Sequence, residues 1–168
     1  MAVTGRLYRA GFQKVSLVTS VQDLVLIQTG ASKLIGIQQI NIGQVGGVTT
    51  ANLSLRLRYL PSTVTAGTGG SACTAGGATY SINPQNPGDL AATVTARCVD
   101  STTQASTSGT ALDQWAEVWN TINGYAWYPG VNNRPTIIPQ SGAFVLSLDT
   151  APPSGFVASV SVLFEELP

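Results

Sequence analysis

Trp115, Glu117 and Trp119 occupy alternate positions, and they are the place in this chain where specific chemistry would sit. On an extended strand the three share one face. A carboxylate between two indoles is a platform on which sugar rings stack. Tyr125, Trp127 and Tyr128 follow closely and enlarge the aromatic surface. The competing reading carries more weight: large aromatics chiefly fill cores and subunit interfaces. In that case Glu117 pairs with an arginine such as Arg56, Arg58 or Arg97.

Catalytic arrangements are hard to assemble from what remains. Glycoside hydrolysis needs two carboxyl groups about 5–10 Å apart. Asp113 and Glu117 are four residues apart, which on a strand is about 13 Å. Glu165 and Glu166 are adjacent and point to opposite faces. The chain has no histidine, so a Ser-His-Asp nucleophile is excluded. Gly67, Gly69, Gly70, Gly76 and Gly77 lack the Gly-Lys-Ser/Thr sequel of a phosphate loop. Cys73 and Cys98 have no metal-ligand spacing around them. They either pair as a disulfide, closing a loop of roughly twenty-five residues worth about 3 kcal/mol, or remain reduced and packed. No catalytic residue, cofactor or metal is expected, and the chain reads as a surface rather than an enzyme.

Composition agrees with that reading. Eight Lys and Arg balance eight Asp and Glu among 168 residues, and hydrophobic residues make up 43%. With no summed charge and no basic run, neither nucleic acid nor an anionic membrane is an expected partner. A neutral chain of positive mean hydropathy has weak self-repulsion, so self-association or burial in a larger assembly is expected. No apolar stretch is long enough to span a bilayer, and the first residues carry no apolar leader core. Synthesis in the cytoplasm is the expectation.

The elements that would position these residues are strands. Gly, Pro, Ser, Thr and β-branched residues are plentiful, and helix-favouring charged residues are scarce. Strands are expected over 11–18, 22–29, 33–43, 53–59, 113–123, 136–138, 143–149 and 156–165. Leu24-Val25-Leu26-Ile27 reads as buried on both faces, and Gly46-Gly47 ends the third run. Leu53, Leu55, Leu57 and Tyr59 alternate with Ser54, Arg56 and Arg58, which marks one core face. Residues 61–77 and 100–110 read as flexible surface loops, and Asp89-Leu90-Ala91-Ala92 as a short capped helix after the Asn83–Gly88 turn cluster. One all-β domain over residues 11–168 follows: a two-sheet antiparallel β-sandwich, with a jelly roll the preferred variant. An immunoglobulin-like sandwich is disfavoured by the absence of a Cys…Trp…Cys pattern.

The C-terminal half carries a resemblance. Trp119-Asn120, Gly124-Tyr125, Trp127-Tyr128-Pro129, Arg134, residues 139–142, Phe144-Val145-Leu146-Ser147-Leu148, Pro152 and Phe164-Glu165-Glu166 resemble a family of tailed-bacteriophage head decoration, or cement, proteins. The last third resembles it most; the beginning does so through its strand pattern and the stretch 12–26. The chain departs from the pattern at Asn132-Asn133, where an acidic residue is more usual, and in its two cysteines. The resemblance implies a jelly-roll homotrimer on the outer surface of the virion capsid, at three-fold positions, binding the major capsid protein and performing no turnover. Many copies acting together would make modest contacts sufficient. Under that reading residues 1–10 form an N-terminal arm, and Arg6, Leu7, Tyr8 and Arg9 offer two charges and an apolar anchor to an acidic capsid surface. The alternatives are a carbohydrate-binding jelly-roll module using Trp115, Trp119 and Trp127, and a minor neck or tail component of a phage.

Overall fold

Period-two alternation sets most of the architecture. The computed structural model describes residues 5–46, 50–129 and 136–168. Among them the chain forms fourteen strands and no helix. In order these are β1 (Arg6–Ser16), β2 (Gln22–Gln28), β3 (Leu34–Gln44), β4 (Asn52–Leu60), β5 (Val64–Thr65), β6 (Ser71–Ala72) and β7 (Tyr80–Pro84). They continue with β8 (Thr95–Asp100), β9 (Ser106–Thr107), β10 (Leu112–Asn120), β11 (Tyr125–Trp127), β12 (Thr136–Ile138), β13 (Ala143–Leu148) and β14 (Val157–Leu167).

Two six-stranded sheets face each other in a β-sandwich. The first has the order β11-β3-β14-β1-β7, with β12 also on β3; the second has the order β10-β4-β13-β2-β8-β6. Every pairing between named strands is antiparallel. Tyr8, Ala10 and Phe12 of β1, Ile40 and Ile42 of β3, and Val160, Val162 and Phe164 of β14 point inward from the first sheet. Leu53, Leu55 and Leu57 of β4 and Phe144, Leu146 and Leu148 of β13 meet them from the second. Burying each such side chain is worth about 1.5–3 kcal/mol. Cys73 and Cys98 are joined by a disulfide with Cα atoms 6.6 Å apart, stapling the 73–80 loop to β8.

Three expectations are corrected. Arg6, Leu7, Tyr8 and Arg9 are not part of a detached arm: they open β1, an interior strand paired with both β14 and β7. Tyr8 is fully buried, stacked on Phe164 at 5.6 Å, and its hydroxyl donates to Leu90 O at 3.0 Å. The reason is that Tyr8, Ala10 and Phe12 continue one inward face, so no domain boundary falls at residue 10. Residues 1–4 of that arm, together with Gly47, Asn132, Asn133 and Arg134, lie outside the described residues. Nor does Asp89–Ala92 form a helix. Backbone groups around it bond outward instead: Leu90 O accepts from Tyr8, and Glu166 accepts from the amides of Thr93 at 2.6 Å and Val94 at 3.1 Å.

The third correction concerns the two long loops. Parts of residues 61–77 and 100–110 fold back over the outer face of the second sheet, where β5 and β9 pair as a two-stranded ribbon. Ala105, Val64 and Ala66 pack there on Leu26, Leu60, Ala143 and Val145, a second and smaller core. This is why β2 is buried on both faces. Asp23, 1% exposed, pins the layer down. Its carboxylate accepts from Ala105 N at 2.6 Å, Ser147 Oγ at 2.7 Å, Arg58 Nη2 at 2.8 Å and Gln104 Nε2 at 3.2 Å. Opposite it in the ladder lies Asp100, which is held by Arg97 at 2.7 Å and by Gly70 N at 3.2 Å.

Removing Asp23 leaves Arg58, Ser147 and the Ala105 amide buried without their shared acceptor, so Asp23→Ala should destabilise the fold by about 3–5 kcal/mol in urea unfolding. Burial pushes the Asp23 carboxyl above its ordinary value of 3.8, against the pull of the Ala105 amide, Ser147 and Arg58. The folded chain therefore holds this proton more tightly than the unfolded chain does. Asp23's contribution to stability is largest below pH 3.8 and declines as pH rises through the raised folded value. Stability of the wild type relative to Asp23→Asn, followed from acid to neutral pH, should fall; a rise would contradict the assignment.

Candidate interaction site

The aromatic residues converge on one open side of the sandwich. There, among the described residues, β10 ends the second sheet and pairs only with β4, while β11 lies at the edge of the first and pairs only with β3. The short connection between them carries the chain from one sheet to the other. Trp115, Glu117 and Trp119 do share a face of β10, but they play three different parts. Trp119 is 2% exposed, meets Phe156 edge-on at 5.8 Å, and donates from Nε1 to Asn123 O at 2.7 Å. Trp115 lies half-buried between Tyr125, at 6.0 Å, and Trp127, at 6.2 Å. Its indole N–H is buried with no hydrogen-bond partner among the described residues.

Among the described residues Glu117 pairs with no arginine. Its Oε2 accepts from the Tyr125 hydroxyl at 2.7 Å, and burial together with that carboxylate pushes the Tyr125 hydroxyl well above its ordinary value. Arg56 holds Asp149 at 2.9 Å and approaches Asp113 at 3.6 Å, Arg58 holds Asp23, and Arg97 holds Asp100. Asp113 and Glu117 thus have separate partners. Glu165 and Glu166 diverge as their adjacency requires: Glu165 accepts from Gly5 N and Gln38 on the outer face, Glu166 from the 93–94 amides. No group of three or more His, Cys, Asp or Glu able to hold a metal occurs among the described residues. No helix there is long and apolar enough to cross a membrane.

A flat three-tryptophan sugar platform is not formed, because Trp119 is sealed inside. Trp119 belongs to the core, while Trp115, Tyr125 and Trp127 pack partly buried against it. Tyr128 is 59% exposed, its hydroxyl accepting from Gln39 Nε2 at 3.1 Å. The opposite face of β10 was not singled out from the sequence. There Val118 is 70% exposed; Leu112, which the bulge between Asp113 and Trp115 turns to the Tyr59 side, and Ile122 beyond the strand end are about half exposed. The apolar residues of 112–122 do not alternate, and only the pairing partners reveal that β10 is an edge, with nothing over its outer face among the described residues.

Comparisons with family models, with curated proteins and with solved structures find no match to this chain.

Trp119→Ala should cost about 3–5 kcal/mol, the usual effect of truncating a buried aromatic. Trp115→Phe removes an N–H that has no partner among the described residues and should change stability by less than about 1 kcal/mol. Chemical denaturation of the two variants checks the contrast; equal losses would mean that the two indoles are equivalent.

Proposed function

We propose that this chain is a non-enzymatic structural protein of a tailed-bacteriophage virion. In this reading it is a head decoration protein, of the jelly-roll variant of the sandwich, made in the host cytoplasm and seated on the outer surface of the capsid. It binds the major capsid protein as a homotrimer at three-fold positions and stabilises the shell. The observation that carries the reading is the exposed edge strand β10, where Val118 is 70% exposed and Leu112 at its start and Ile122 just past its end are about half exposed. Long, apolar sheet edges left in solvent template further pairing, and soluble monomers usually blunt them with Lys, Pro or a covering segment. β10 carries no Lys and no Pro. Its acids Asp113 and Glu117 are engaged within the molecule.

Further support comes from where the ionic groups go. Asp23, Asp100 and Asp149 are tied to arginines that hold strands or loops in place. Together with the residue pattern of the C-terminal half, this favours a load-carrying contact module over a site of turnover.

Sedimentation of the protein alone, and with capsids lacking their decoration layer, tests the proposal. A trimer that binds saturably to the heads and raises their thermal stability is expected. Val118→Asp, at an exposed position, should leave the fold intact and weaken assembly by about tenfold or more. A monomer that does not bind heads would overturn the reading.

A further inference from the structure

The outer face of the first sheet carries a depression of about 490 Å³, running over β1, β14 and β3. Arg9, Lys14, Asn41, Gly43, Ser159 and Ser161 line it. It is hollow because the ladder places small side chains side by side: Gly11 opposite Ser161, and Ser159 opposite Gly43. At Gly11 a Cβ would strike Val160 O, so only glycine fits there, whereas at Gly43 a Cβ would meet nothing within 4 Å. The β1 bulge between Phe12 and Val15 lifts Lys14 at one end.

The polar groups are committed in a way that leaves donors facing out. Ser161 Oγ accepts from Arg9 Nη1 at 3.0 Å, and Ser159 Oγ accepts from the Lys14 amide at 2.9 Å. Asn41 Oδ1 accepts from Gln39 Nε2 at 2.9 Å. Each hydroxyl therefore keeps its own O–H to donate, and the Asn41 amide keeps its NH₂. Arg9 and Lys14 form no ion pair among the described residues. Among the described residues no carboxylate lines the depression.

We propose that this depression is a binding site for an anionic saccharide, one whose rings carry carboxylates. Two cations supply the charge, and the serine and asparagine donors meet ring oxygens and carboxylate oxygens. The volume falls within the roughly 300–1,000 Å³ of small-ligand sites. An acidic peptide fits less well: β1 and β14 are paired on both sides, so no free backbone edge is offered for strand addition. The site goes beyond the capsid reading and stands whether or not that reading does.

Calorimetric titration of the full chain at low salt with tetragalacturonate, maltotetraose, octaglutamate and sodium sulfate tests the proposal. Tetragalacturonate should bind at least about tenfold more tightly than each of the other three. It should also weaken as salt is added. Gly43→Tyr fills the depression from open space, and Arg9→Gln with Lys14→Asn removes both charges while Asn tolerates the left-handed φ of 54° at position 14. Each change should lower the affinity at least about tenfold. In the wild type, amide shifts on titration should centre on Gly43, Ser159 and Ser161, which locates the site without any variant. Absence of binding, equal binding of maltotetraose, tighter binding of octaglutamate or sulfate, or shifts centred elsewhere would overturn it.

Discussion

Asp23 stands where four separate stretches of chain meet: its own strand β2, the adjacent β13 through Ser147, β4 one strand further through Arg58, and the Ala105 amide of the segment folded over them. A carboxylate in so dry a place is tolerated only when nearly all its lone pairs are used. Once that requirement is met, the Ser- and Gly-rich segments cannot drift, and Leu26, Leu60, Ala143 and Val145 stay covered. The sandwich thereby acquires a third thin layer on one side while the other side remains an open sheet face. That asymmetry organises the rest of the molecule: a sealed face, an open polar face with its hollow, and an uncovered edge at β10.

Much of the fold was legible in the sequence, because a strand with one buried face writes its period directly. β4 shows it in Leu53, Leu55 and Leu57 against Ser54 and Arg56, and β14 in Val160, Val162 and Phe164 against Ser159 and Ser161. β7 and β8 were missed, since Tyr80–Pro84 merges into a turn cluster and Thr95–Asp100 mixes Arg97 and Asp100 with its apolar residues. The covering layer was hidden for a different reason. Its composition is that of a loop, and its few apolar residues, Val64, Ala66 and Ala105, are too sparse to show a period. A clue did exist in Leu24–Ile27, an unbroken apolar run that needs cover on both faces.

The candidate sites divide along the same line. That Trp115, Glu117 and Trp119 share a face followed from spacing alone, whereas their different burial depends on where β10 ends relative to β11. The hollow on the first sheet depends wholly on register, since Gly11, Gly43, Ser159 and Ser161 are unremarkable until the ladder sets them together. Arg9 shows how a residue changes meaning. As part of an arm it reads as a tether, but as part of β1 it becomes a fixed donor on a sheet face, held by Ser161.

The proposed role as a shell component rests on surfaces rather than on a reaction, and surfaces are counted in copies. Quantitative mass spectrometry of purified virions, with this chain referenced to the major capsid protein, tests it most directly. A ratio near one to one is the predicted result; a handful of copies per particle, or none, would contradict it.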